Sequence, residues 1–268
     1  MHEAGGSVPV IVFTGGPVVD TQVLRFASRL QQCPTTRLLA IVSESPIRGF
    51  RGKILDLWQR RGLLAAGILL RDALTAMWTA IFAPASILRR RRLLEQLRGR
   101  LHFVDDIHAD KTLRQIQEFK PALGLVYGGP ILQPELFSIP KLGTLGIHHG
   151  KVPYYRGKKT TFWAMHNGEP DVGVVIQKIG TNLDAGEIVM QANLPVGRRP
   201  LGRIRKELET IGIDLYLDAI AAVLDGSAVY VEQPAAVTRL YKDPTLLDIV
   251  RFWGRYLARL FHRVDNAR

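Results

Sequence analysis

A short apolar run, Val8 to Phe13, ends in Thr14-Gly15-Gly16-Pro17 and constrains the fold more than any other stretch. Such a run is long enough for a buried strand and too short for an ordinary helix, and a Gly-Gly-Pro turn stops either. Asp20 to Gln32 then repeats apolar residues at helical period through Val23, Leu24, Phe26 and Leu30. Leu38 to Val42 is a second apolar run of strand length. Strand, helix and strand in that order make a right-handed parallel βαβ unit, from which doubly wound sheets are built.

The rhythm resumes at Leu101. Strands are expected over 101–104, 122–127, 143–148, 173–178, 186–192 and 228–232, and helices over 110–118, 160–165 and 203–224. The fold class is therefore α/β, with a mostly parallel twisted sheet in one domain spanning 1–245. Residues 47–100 interrupt it. Leu63 to Leu88 is strongly apolar, but Arg71 and Asp72 lie near its middle and Pro84 is expected to break its end, so it makes a poor membrane span. A second helix is expected over 93–97. This insertion reads either as a helical hairpin covering the sheet edge or as an apolar face on a membrane surface, with Arg89 to Arg92 at headgroup level. Residues 246–268 form a separate tail. Apolar residues there recur at helical spacing beside Arg251, Arg255, Arg259 and Arg263, which suits a docked amphipathic helix or an interfacial one.

The stretch from Leu145 to Glu187 carries the chemistry. It opens L-G-I-H-H-G-K-V-P-Y-Y-R-G and closes L-D-A-G-E, with His148 at a strand end and Asp184 before Gly186. Histidine is suited to proton transfer near neutral pH, and a carboxylate brought against it can fix its tautomer and support the imidazolium. Ligands of open α/β sheets bind at the carboxyl ends of the strands, where the expected strand over 143–148 delivers His148.

These motifs resemble those of the formyltransferase family that uses 10-formyltetrahydrofolate, whose members carry N-x-H, then L-P-x-Y-R-G, then L-D-x-G. The resemblance implies a Rossmann-like formyltransferase fold and an enzyme in which His148 and Asp184 are catalytic. It implies that Tyr127, Gly128, Gly129, Pro130 and Ile131, with Gly180, Thr181, Asn182 and Leu183, frame the donor pocket. Gly15, Gly16, His149, Tyr154, Tyr155 and Arg156 are the corresponding candidates for holding the acceptor. One element departs from the family: Gly146 stands where the resemblance implies a catalytic asparagine that donates to the formyl oxygen. Three accounts stay open. Another group such as His149, Asn182 or a water substitutes, a different acyl group is transferred, or the chain binds without turnover.

The net charge of +12 favours an anionic partner, and twelve Lys/Arg against three acidic residues fall between Ile47 and Arg100. The expected acceptor is a small-molecule amine on a nucleotide- or lipid-linked amino sugar. Relatives that formylate initiator tRNA carry a further C-terminal β-barrel, for which the residues after Pro200 leave too little room, so that acceptor is not expected. The competing reading is a non-catalytic protein of this fold on an acidic membrane. Nucleic acid ranks behind both, since the basic block is interleaved with aliphatics rather than stacking aromatics. A homodimer is compatible with the sequence. Nothing has metal-ligand spacing. The single cysteine, Cys33, suits a reducing compartment, and the first residues lack a basic segment before the apolar run, so the expected location is cytoplasmic, at the inner face of a membrane if the insertion docks there.

Overall fold

The computed structural model describes residues 6–16, 19–45, 83–234 and 239–261, with isolated helical positions between 54 and 78. Most of the insertion expected over 47–100, and the end of the tail, lie outside the described residues. The chain divides into two compact units, residues 1–144 and 145–268.

The first unit comprises β1 (Val8–Gly15), α1 (Thr21–Gln32), β2 (Thr36–Glu44), α2 (Pro84–Leu97), β3 (Leu101–Val104), α3 (Asp110–Phe119), β4 (Leu123–Val126) and a short α4 (Pro134–Phe137). β1 pairs in parallel with β2 on one side and β4 on the other, and β3 joins the free edge of β2. β1 is covered on both faces, so Val10, Ile11, Val12 and Phe13 are all fully buried, which explains its unbroken apolar run. Asp20 caps α1 by accepting the Gln22 backbone N–H at 2.7 Å. The helix expected over 93–97 begins earlier, at Pro84, because a first-turn residue needs no N–H donor and proline's fixed φ already suits the helix.

The second unit comprises β5 (Thr144–His148), β6 (Arg156–Gly157), α5 (Thr160–Asn167), β7 (Asp171–Lys178), β8 (Ile188–Pro195), α6 (Leu201–Asp225), β9 (Leu240–Tyr241) and α7 (Leu246–Phe261). Here β5–β7 and β7–β8 are antiparallel. The link from β7 to β8 is a short loop, and a parallel return would need a crossover of about a dozen residues or more. The strand expected over 228–232 is reduced to a single bridge between Val231 and Ile188.

The alternation of side chains along these strands positions the site. Val174, on β7, joins Ile204 and Leu208 of α6 in one buried cluster, with Ile147 of β5 packed against it, and the Tyr216 hydroxyl donates to the Leu145 carbonyl at 2.8 Å. Gly146 and His148 therefore face the other way. Across the ladder Gly146 is opposite Gln177 and His148 is opposite Val175, so Gln177 shares the face of His148.

Candidate active site

His148 ends β5 almost fully buried, and both of its ring nitrogens meet oxygen. Nε2 lies 2.8 Å from the Tyr155 carbonyl and Nδ1 lies 3.4 Å from Asp184 Oδ1. A carbonyl only accepts, so Nε2 carries the proton there. Neutral imidazole has one N–H and satisfies one of these two acceptors, whereas imidazolium satisfies both. The arrangement is therefore able to take up a proton and hold it against a carboxylate.

Asp184 is held as tightly as the histidine. Its Oδ2 accepts the Gly157 N–H at 2.9 Å, and Gln177 Nε2 reaches its Oδ1 at 3.4 Å. Its backbone is in the left-handed region, at φ 51°, a conformation that aspartate visits more readily than most residues. Arg156 Nε donates to the Leu183 carbonyl at 2.9 Å. The two motifs are thus interlocked through their backbones as well as through the His148–Asp184 pair. On the far side of the loop, Gln233 Nε2 donates to Gln177 Oε1 at 2.9 Å, to the Gly186 carbonyl at 2.8 Å and to the Asp184 carbonyl at 3.3 Å. Two glycines leave no room for a side chain. A Cβ on Gly186 would fall 1.7 Å from the Lys178 carbonyl oxygen, and one on Gly150 would fall 2.3 Å from the Tyr155 carbonyl oxygen and 2.5 Å from His148 Nε2.

A cavity of about 420 Å³ adjoins this loop, lined by Lys178, Gly180, Ala185, Gly186, Glu232 and Gln233 among others. Among the described residues, Gln233 Oε1 is buried without a hydrogen-bond partner. Thr181, Asn182 and Leu183 are exposed on the same loop.

The remaining expected residues divide. Tyr155 is buried and donates its hydroxyl to Glu169 at 2.9 Å; burial above all pushes its phenol up to about 12. Its neighbour Tyr154 is exposed. His149 lies on the opposite face of the strand from His148. Its Nε2 is buried against α6, 3.7 Å from Glu209 and without a hydrogen bond, while its carbonyl accepts from the Thr160 and Thr161 hydroxyls. Desolvation holds the His149 imidazole below its ordinary pKa; Glu209 opposes this, and His148 and Arg205 add to it.

In the first unit, Gly15 ends β1 with Gly16 directly after it and residues 127–131 follow β4, which gathers them at the carboxyl ends of two paired strands. The Tyr127 ring is buried against Phe26, with centroids 5.3 Å apart, and Ile131 is exposed. Among the described residues, Glu44, Asp106 and His108 bring possible metal-ligand atoms together. Glu44 Oε1 already accepts the Ile107 N–H at 3.3 Å and His108 Nε2 the Gln133 N–H at 3.1 Å, so these side chains tie neighbouring segments together.

Gln177 and Gln233 are the site residues that sequence reasoning missed. Only the cross-strand register and the path of the chain after α6 reveal them.

Residues 104–219 match the family described as formyl transferase. A methionyl-tRNA formyltransferase from Roseiflexus castenholzii is 33% identical over 151 residues, covering 56% of this chain and 48% of that protein. The chain spans about half the length of the curated relatives it matches. Among solved structures, a sugar N-formyltransferase from Shewanella sp superimposes with a TM-score of 0.57 at 13% identity, covering 91% of this chain and 86% of that one. A phosphoribosylglycinamide formyltransferase from Anaplasma phagocytophilum gives 0.58 at 14%, covering 88% and 100%. These two likenesses establish the shared α/β, Rossmann-like formyltransferase fold.

Proposed function

We propose, from the chain's place in the formyl transferase family through residues 104–219, that it moves a formyl group from 10-formyltetrahydrofolate to an amine on an anionic amino sugar. The observation that carries this reading is the interlocked His148–Asp184 pair, 3.4 Å apart, on a loop that adjoins a cavity. The residues present fit such a donor. The cavity offers backbone groups of a glycine-containing loop, and the unpartnered Gln233 Oε1 is an acceptor suited to a ring N–H. The acceptor class is supported by the net charge of +12, which draws anions.

In the reaction His148 takes the proton released by the attacking amine, Asp184 stabilises the resulting imidazolium, and the proton passes on to the departing nitrogen. Calorimetric titration with 5-formyltetrahydrofolate, a stable analogue of the donor, tests the reading. Micromolar binding that weakens in Asp184→Ala is expected. An absence of heat at millimolar ligand would sink the folate-dependent reading.

A second proposal concerns where the reaction takes place. α7 exposes Leu246, Leu247, Val250, Trp253 and Leu257 beside the exposed Arg251 and Arg255, a combination suited to the anionic inner face of a membrane. No helix among the described residues is long and apolar enough to cross one, so the contact would be peripheral. Co-sedimentation with phosphatidylglycerol vesicles and not with phosphatidylcholine vesicles is expected; equal recovery with both would remove the charge argument.

A further inference from the structure

We infer that the Gln177 carboxamide stabilises the developing oxyanion and so supplies the donor that Gly146 lacks. The inference rests on the formyl-transfer reading above.

Transfer to an amine needs a hydrogen-bond donor aimed at the formyl oxygen. The acceptor nitrogen's lone pair forms the new N–C bond while the carbonyl electron pair moves onto oxygen. When that pair returns, the bond from the formyl carbon to the donor's nitrogen breaks. The proton lost by the acceptor reaches the departing nitrogen through the His148–Asp184 pair. An amine and a formyl donor thus become a formamide and a deformylated donor, with no other reactant. Negative charge rests on one oxygen midway, and neither His148 nor Asp184 is positioned to receive it as a donor while handling the proton.

Strand register identifies the group that is. On the inward face of β5, Gly146 offers no side chain, and directly across the antiparallel ladder from it stands Gln177. Directly opposed residues project to the same side of a sheet with Cβ positions about 5 Å apart, so the Gln177 side chain rises beside the space that a side chain at position 146 would fill. Gln177 is itself buried, at 3% exposure. Its carboxamide is oriented from both ends. Gln233 Nε2 donates to its oxygen at 2.9 Å, and its nitrogen meets Asp184 Oδ1 at 3.4 Å, the same oxygen that faces His148 Nδ1. An amide nitrogen carries two hydrogens. Asp184 takes one, and among the described residues the other has no partner. A buried N–H next to the proton-handling pair, fixed before substrate arrives, is the preorganised dipole that oxyanion stabilisation requires.

The test compares the wild-type protein with Gln177→Met, which keeps the length and removes the donor, and with Gln177→Glu, which keeps the acceptor for Gln233. The readouts are tetrahydrofolate release from 10-formyltetrahydrofolate, with glucosamine 6-phosphate or water as acceptor, and calorimetric binding of 5-formyltetrahydrofolate. Both variants are expected to lose roughly 100- to 1,000-fold in kcat while binding the analogue within a few-fold of wild type. Retention of kcat within a few-fold by either variant would overturn the assignment. Parallel losses of binding and turnover would also overturn it, by showing a structural role only. A wild-type protein that neither binds the analogue nor turns over the donor would instead fail the formyl-transfer reading, and the assignment with it.

Discussion

Gly150 shows how tightly the site is drawn around one imidazole. A methyl group there would overlap both the Tyr155 carbonyl oxygen and His148 Nε2, the two atoms whose contact orients the ring. Gly150→Ala should therefore lower turnover on the order of 100-fold, the scale of an ångström-sized misplacement, with near-wild-type far-UV circular dichroism as the check that the fold survives. His149, one residue earlier, bears on stability through its burial. Its pKa is held below 6.5 in the folded protein, chiefly by desolvation. The unfolded chain therefore binds the extra proton more readily, and the stability that His149 contributes is present above pH 6.5 and lost as the pH falls through its lower folded value. Urea midpoints measured at pH 7.5 and 5.5 should converge more closely in His149→Gln than in wild type. An unchanged gap would show that other groups carry the acid sensitivity. At this scale the sequence singled out His148 and Asp184, each in its own short contiguous motif, and the structure brings the two together. It could not reveal Gln177, which faces Gly146 only across a ladder.

At the level of elements, α7 is anchored by a buried aromatic. Phe252 is 3% exposed and packs against Phe162 and Tyr256, with centroids 5.0 and 6.2 Å away. Arg255 adds a bond to the His166 carbonyl at 3.0 Å. Phe252→Ala should cost about 3–5 kcal/mol, read from urea unfolding, and should release α7 before the rest of the unit. The parallel unit around β1 was legible because burial on both faces leaves unbroken apolar runs. The antiparallel ladders of the second unit were not, because an alternating or mixed strand pattern does not state which neighbour it pairs with, or in which direction. The helix from Pro84 to Leu97 was foreseen only over 93–97, since proline marks a helix boundary without saying on which side of it a helix lies.

For the whole molecule, the governing quantity is the charge of +12. Long-range attraction of an anionic acceptor should make kcat/KM fall as sodium chloride rises from 20 to about 200 mM, since screening shortens the Debye length across this range. A neutral amine acceptor should show little change, and equal salt responses for the two would remove electrostatics from acceptor choice. The staple provided by Gln233 has a practical consequence of another kind. This residue reaches Gln177 and the Asp184 loop from beyond the end of α6, outside the stretch 104–219 that marks the family. A fragment trimmed to that alignment would keep both His148 and Asp184 and lose the Gln233 bonds that hold the Asp184 loop. Shortened versions made for expression or crystallisation should therefore end no earlier than Gln233.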